Sequence, residues 1–471
     1  MKDSVNIGYQ LFISFVAALG GFLFGYDTAV ISGTISSVTA QFGLDAISQG
    51  WYVGCALVGS IAGVMVAGML GDVLGRKKAM ILSAVLFSVS AIGCALCANF
   101  DQLVVYRIIG GAGIGVASII CPLYISELVA AQYRGRMVSL YQLAVTVGFI
   151  GAYLGNYFLL RYSQTAIPDG STWSMVFVAE NWRGMLGLET VPALLFFLVI
   201  FVIPESPRWL IVHGRVAAGR SVISRVFKTQ AAVNAEVNAV ENSIRQTENE
   251  KSDWRLIFQR KWFRAVLIGA AIAILGQFMG VNAVLYYGPT IFEDAGLSTG
   301  DSLFYQIMVG LVNTLTTVAA LFLIDKIGRK QLVYWGVSGM IISLLLIAGY
   351  FVYGRELGLS SIWLLVLFLI YIICCAGSIC AVVFVLLSEM YPTKIRAVAM
   401  SIAGLALWIG TYLVGQLTPW MLENLRPAGT FLLFAAMCLP YMWIMWKKVP
   451  DTTGKPLEEI EKFWDKEPPL F

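Results

Sequence analysis

Apolar residues in this chain come in long blocks, and period-two alternation is absent. Stretches long enough to cross a bilayer, roughly 20 residues each, recur twelve times: approximately 9–33, 50–71, 79–98, 103–128, 137–160, 184–203, 266–292, 303–323, 332–353, 361–388, 397–420 and 430–446. Most polar connections are short. The exception is the segment from Pro204 to Arg264, which is charged and helix-forming ("NAEVNAVENSIRQTENEKSDWR") and divides the spans six plus six. The pattern predicts an all-α membrane protein with a six-helix half at 1–203, an intracellular helical domain at 204–265, a second six-helix half at 266–448 and a cytoplasmic tail at 449–471.

Composition agrees with that pattern. The chain is 58% hydrophobic and only 13% charged, where a soluble domain carries about 25% charged residues. The first block has neither a basic n-region nor an Ala-x-Ala site, so it reads as a retained span. With the N-terminus inside, 27 of the 32 Lys and Arg fall in cytoplasmic segments and four outside (Arg161, Arg183, Arg355, Arg426). Excess positive charge marks the cytoplasmic side, which puts both termini in the cytoplasm of a protein of the cell (inner) membrane. Arg107 is the one left over, inside the fourth span.

The eight cysteines (Cys55, Cys94, Cys97, Cys121, Cys374, Cys375, Cys380, Cys438) all lie in apolar spans. Cys94 and Cys97 have redox or metal spacing, but apolar flanks and the lack of a nearby histidine make packing thiols the simpler reading. The sole histidine, His213, falls in the large cytoplasmic loop. No nucleophile, metal or phosphate-loop motif appears in a plausible site, so neither an enzyme nor a cofactor is expected, and the partners anticipated are a small solute, a proton and the bilayer, without nucleic acid.

Motifs repeat across the split: "GDVLGRKK" from Gly71 against "IDKIGRKQ" from Ile324, and "SELVAAQYRG" from Ser126 against "SEMYPTKIRA" from Ser388. Parallel six-helix repeats build one large class of secondary transporters, with substrate near the membrane midplane. The repeated charges sit at cytoplasmic helix ends: Asp72, Arg76, Glu127 and Arg134, then Asp325, Arg329, Glu389 and Arg396, with Glu205 and Arg208 closing the first half. They can form a latch on the inner face, or simply anchor loops, since surface pairs are individually weak.

Three ionisable residues stand inside apolar spans away from the cytoplasmic ends: Asp27, Arg107 and Glu189. A charge at the bilayer centre costs at least about 2.5 kcal/mol, so such residues are rare and mark function. All three fall in the outer halves of their spans. Burial disfavours an ionised Asp27 and an adjacent Arg107 favours it, so making or breaking that pair can switch its proton. Gly20, Gly21, Gly25, Gly110, Gly111, Gly113 and Gly115 would let the first and fourth spans approach closely. Aligning "GFLFGYD" (from Gly21) on "GQFMGVN" (from Gly276) places Asn282 opposite Asp27, and the shift relating Glu127 to Glu389 puts Leu369 opposite Arg107. Proton chemistry is thereby confined to the first half. Amides within spans, Gln142, Gln277, Asn282 and Asn313, suit a neutral hydroxyl-bearing solute. Gly276 and Gly280 are expected to break the seventh helix beside Gln277 and Asn282.

The repeated D-x-x-G-R-K, "RIIGG" (from Arg107), "PESPRWL" (from Pro204), "QFMGVNAVLYY" (from Gln277) and "PDTTGKPLEE" (from Pro450) together resemble the sugar porter family of the major facilitator superfamily, most of all its bacterial D-xylose:proton symporters. The resemblance covers nearly the whole chain. It implies the major facilitator fold and proton-coupled monosaccharide symport by alternating access, with Asp27 and Arg107 as the coupling pair and Glu189 beside them. It also implies sugar contacts from Phe24, Gln142, Gln277, Asn282, Tyr286, Asn313 and Trp408. Phe149, Gly276 and Leu407 stand where xylose-type members carry further polar groups, and the usual Gly-Pro-x-x-Trp of the tenth span reads Cys380 to Phe384. Removing donors from a hydroxyl-reading site changes discrimination strongly, which leaves open another pentose, a hexose, a deoxy sugar or a polyol, and an uncoupled facilitator as the alternative mode. An organic acid would need a free cation, and Arg107 is engaged by Asp27.

Overall fold

The computed structural model describes residues 5–167, 170–249, 257–354, 356–391, 395–450 and 464. These residues are almost entirely helical, and twelve helices are long and apolar enough to cross a membrane: Ile7–Gly33, Ala46–Leu74, Arg76–Leu96, Phe100–Leu128, Ala131–Thr165, Asn181–Ile200, Trp262–Asp294, Thr299–Ile324, Arg329–Tyr353, Ser361–Met390, Val398–Asn424 and Arg426–Lys447. They match the twelve apolar blocks, extended by polar turns at their ends. Backbone groups in lipid must bond internally, so a lipid-facing span has to be a helix. The one isolated β-bridge among the described residues pairs Val5 with Phe227. The tail motif from residue 451 onward and the end of the large loop (250–256) lie outside the described residues.

The contacts group the chain into two compact units, one within Met1–Thr34 and Cys55–Lys251, the other within Ile35–Gly54 and Ser252–Phe471. In the first unit the large loop folds into helices Pro207–Val212, Val216–Val226 and Gln230–Asn249. Ile211, Ile223, Val233 and Val237 form their small core. The backbone N–H of Asn6 donates to Val226 O at 2.8 Å, which ties the start of the first span to this helical layer.

The repeated G-R-K motif has one local geometry in both units. Gly75 (φ +96°) and Gly328 (φ +93°) sit in a region that L side chains rarely adopt, and each is followed directly by the first residue of a span, Arg76 or Arg329. Glycine at 75 also leaves room for a cap from elsewhere in the chain: a Cβ there would stand 2.4 Å from a Glu205 carboxylate oxygen. Glu205 accepts from the N–H of Lys77 at 3.1 Å and from that of Ser206 at 2.8 Å. An anion at a helix N-terminus satisfies orphan donors and the helix dipole together.

The glycines of the first and fourth spans do permit close approach, but chiefly to other partners than one another. A Cβ on Gly25 would stand 1.9 Å from Val145 O in the fifth span, and one on Gly111 would stand 1.9 Å from Ala56 O in the second. Gly20 faces across from first to fourth span, toward Cys121 Sγ, and Gly110 looks back at Asp27 from a longer distance. The Asp27–Arg107 pair is therefore seated by the fifth and second spans pressing on its two carrier helices. Gly25→Ala is expected to lower the thermal unfolding midpoint, with an overpacking cost of about 1–3 kcal/mol. Gly68→Ala, where an added Cβ meets nothing within 4 Å, is expected to leave the midpoint unchanged or slightly raised. Equal midpoints for the two variants would contradict this packing account.

Candidate proton and solute site

Two continuous helices and one helix break position the buried charges. Asp27 lies near the end of Ile7–Val30, and Arg107 two turns into Phe100–Leu128. Glu189 occupies a break in the sixth span between helices Asn181–Gly187 and Thr190–Ile200. Pro192 explains the break. Its ring removes a donor and crowds the carbonyl four residues back, so Leu188 O instead takes the Val191 N–H at 3.1 Å.

Asp27, Arg107 and Glu189 are each at most 2% exposed. Arg107 Nη1 donates to Asp27 Oδ1 at 2.5 Å. The buried Glu189 carboxyl interacts electrostatically with both Asp27 and Arg107. Asp27 Oδ2 and Glu189 Oε1 have no hydrogen-bond partner among the described residues. Gly110 keeps the site open, since a Cβ there would come 2.4 Å from Ser90 Oγ and 3.9 Å from Asp27 Oδ1. The arrangement is two carboxyls around one guanidinium in a site closed to water.

Sequence reasoning missed the burial of a further cation. Arg183, counted among the outside charges, belongs to the sixth span and is 5% exposed. Its Nη1 donates to Cys97 O at 2.6 Å, and its Nε pairs with Glu180 at 2.5 Å. A cation on the last carbonyls of a helix is favourable, and Arg183 thus serves the end of the third span. The available signal was Glu180 three residues earlier, which marks a helical ion pair.

In the second unit the seventh span breaks where Gly280 takes φ +92°, between helices Arg260–Phe278 and Val281–Asp294. Gly276, expected to help break it, stays within the first helix; its backbone remains helical, and only Gly280 needs the left-handed region. Tyr371 OH from the tenth span binds Met279 O at 2.7 Å, a carbonyl at the break. Across the break Asn282 Nδ2 donates to Gln277 Oε1 at 2.8 Å, and Thr411 Oγ1 donates to the same oxygen at 3.2 Å. Thr411 was not foreseen; a threonine one helical turn beyond Leu407, whose carbonyl it also binds at 2.9 Å, was the signal. Tyr286 and Asn313 are buried, and Trp408 is half-buried.

Of the solute residues foreseen in the first unit, Phe24 is half-buried and Gln142 exposed. Phe149 is buried against Tyr153, with ring centroids 6.3 Å apart. At Gly276 a Cβ would find ordinary clearance, 3.6 Å from Ile379 and 3.8 Å from Tyr441. Leu407 is half-buried, while Cys380 and Phe384 are exposed on one side of the tenth span.

At the helix ends that carry the repeated charges, Arg76 pairs with Asp72 at 3.0 Å and with Glu127 at 2.9 Å, and Arg329 pairs with Glu389 at 3.1 Å. Ser206 Oγ donates to Glu127 at 2.5 Å and, as the N-cap of helix Pro207–Val212, accepts from the Trp209 N–H at 3.2 Å. These bonds tie helices within a unit. Arg396 donates to its neighbour's carbonyl, Tyr391 O at 3.2 Å, and Arg134 and Arg208 are exposed. Asp325 lies in helix, with its side chain outside the described residues.

The model of the family described as sugar (and other) transporter matches residues 13–464. An arabinose-proton symporter of Bacillus subtilis is 35% identical over 98% of this chain and 97% of its own length. The D-xylose-proton symporter of Escherichia coli is 34% identical over 99% and 98%. The inward-open structure of the xylose transporter XylE from E. coli superposes with a TM-score of 0.81 at 33% identity, covering 96% of this chain and 99% of that one.

Removing the cation of a buried pair strands the carboxyl. Arg107→Leu is expected to destabilise the protein by about 3–5 kcal/mol, and the double variant Asp27→Leu/Arg107→Leu to recover most of that loss. Thermal unfolding in detergent measures both. A double variant no more stable than the single one would show that no pair energy is stored there.

Proposed function

Since the chain belongs to the sugar (and other) transporter family, we propose that it is a proton-coupled monosaccharide symporter working by alternating access, with Asp27, Arg107 and Glu189 as its proton site. The charge count of that site carries the reading. Two ionised carboxyls around one guanidinium leave a net buried negative charge, which is costly in a dry interior. One proton shared between Asp27 and Glu189 restores neutrality, and the unpartnered carboxyl oxygens have room for it. In this reading Asp27 and Glu189 share that proton beside Arg107. Breaking the Arg107 contact on one side of the membrane, and remaking it on the other, moves a proton with each cycle.

The solute is a neutral sugar, read by Gln142, Gln277, Asn282 and Asn313 with Phe24, Tyr286 and Trp408 against its C–H faces. The Gln277–Asn282 bond across the Gly280 break supports this assignment: an amide pair closed on itself can open to give the sugar both a donor and an acceptor. Phe149, Gly276 and Leu407 replace polar groups and move preference away from D-xylose. Both relatives whose names are given above are proton symporters of pentoses, which supports coupling. Residues 1–203 and 266–448 are assigned as the two six-helix halves, 204–265 as the intracellular domain and 449–471 as the tail, with both termini cytoplasmic in the cell membrane. The Arg76 and Arg329 clusters, with Asp325, Glu205, Arg134, Arg208 and Arg396, form the cytoplasmic gate.

Asp27→Asn makes the switch permanently neutral. It is expected to lose uphill uptake driven by an acid exterior, yet keep sugar binding and counterflow in proteoliposomes. Proton-driven accumulation surviving in Asp27→Asn would hand coupling to Glu189, and loss of counterflow as well would reduce the pair to a structural role.

Gln277→Ala and Asn282→Ala are each expected to weaken binding of the best sugar in a thermal-shift panel at least about tenfold, on the order of 1.4 kcal/mol or more. Unchanged affinity in both would remove the sugar from the seventh span.

A further inference from the structure

The tenth span carries a chemical feature that transport does not use. It consists of helices Ser361–Ala376 and Ile379–Met390, separated at Gly377 and Ser378, where Ser378 has φ −123° and ψ −85°. Cys375 lies in the last turn before the break and Cys380 in the first turn after it. On an unbroken helix two residues five apart stand about 140° around the axis and about 7.5 Å along it, so their side chains diverge. Here the break turns them together, and the two sulfurs are 3.7 Å apart. Cys375 is buried and Cys380 exposed, so a reagent arriving at Cys380 has its second thiol in place. The neighbouring thiols face elsewhere: Cys374 Sγ packs where a Cβ on Gly339 would be, and Cys438 Sγ donates to Phe434 O at 3.4 Å.

We propose that Cys375 and Cys380 form a dithiol modification site that binds one trivalent arsenical across the tenth-span break. The chemistry is condensation without redox change. An organoarsenic(III) oxide loses its oxygen as water, taking the two thiol protons, while two As–S bonds form. The bridge joins the helices on either side of Gly377 and Ser378 and fixes their angle. The helix before the break also carries Tyr371, which holds Met279 O at the seventh-span break beside Gln277. A bridged tenth span therefore stiffens both breaks, and on the transport reading above it stops turnover.

Phenylarsine oxide added to the purified full-length protein tests the site. One arsenical per chain is expected by intact mass, resistant to a monothiol, removed by 2,3-dimercaptopropanol, and mapped by fragmentation to the peptide containing residues 375–380. Cys375→Ser and Cys380→Ser should each lose the monothiol-resistant adduct, whereas Cys374→Ser and Cys438→Ser should keep it. A resistant adduct persisting in Cys375→Ser or Cys380→Ser, or mapping to another peptide in the wild type, overturns the site. In proteoliposomes the adduct should cut wild-type sugar uptake at least tenfold, reversibly with the dithiol, and leave uptake by Cys375→Ser insensitive. Full occupancy with unchanged uptake overturns the stiffening of the breaks. Adduct stoichiometry is read without any transport assay, so failure of the symport reading leaves the site test intact.

Discussion

The ion pair between Arg107 and Asp27, 2.5 Å apart and sealed from water, constrains everything near it. Charges in a bilayer-embedded interior persist only when paired and bonded, so the first and fourth spans must present these residues to each other at fixed depth. That registry is held from outside the pair. Val145 presses on Gly25 and Ala56 on Gly111 at distances that admit no side chain. Placing Glu189 in reach then required a helix break, which Pro192 supplies. One guanidinium close to two buried carboxyls is the result, the charge balance on which the proposed single-proton site rests.

The second unit uses the same device, a broken helix, without the charge. At the position aligned with Asp27 stands Asn282, bonded to Gln277 across the Gly280 turn and joined by Thr411. Freed backbone at a helix break is tolerated at membrane depth only when something else satisfies it, and Tyr371 binds a carbonyl there. On the proposed reading the two units divide labour, the one with the carboxyl handling the proton and the one with the amides handling hydroxyls.

The spans were legible because twenty apolar residues in succession have one stable solution in lipid. The charges at Asp27, Arg107 and Glu189 were legible for the same reason in reverse, as exceptions to that rule. What the chain did not reveal was lateral packing. Glycine spacing announced close approach but not the partner, so Gly25 and Gly111 read as one interface and proved to be two. Gly276 and Gly280 looked alike, and only φ distinguished the one that breaks the helix. Arg183 was misplaced because a few residues at a span end decide whether a cation meets water or the last carbonyls of a neighbouring helix. The Cys375–Cys380 approach exists only through the Gly377 break and could not be seen in linear order.

The shared proton is the central claim, and infrared difference spectroscopy addresses it at the carboxyls themselves. Protein carrying carboxyl-labelled aspartate or glutamate, held near neutral pH, should show one protonated-carboxyl stretch that survives exchange of bulk solvent slowly and shifts with the isotope. That band should vanish in Glu189→Gln or Asp27→Asn, whichever removes the protonated partner. Wild-type protein with only ionised-carboxylate bands, unchanged by either substitution, would contradict the account.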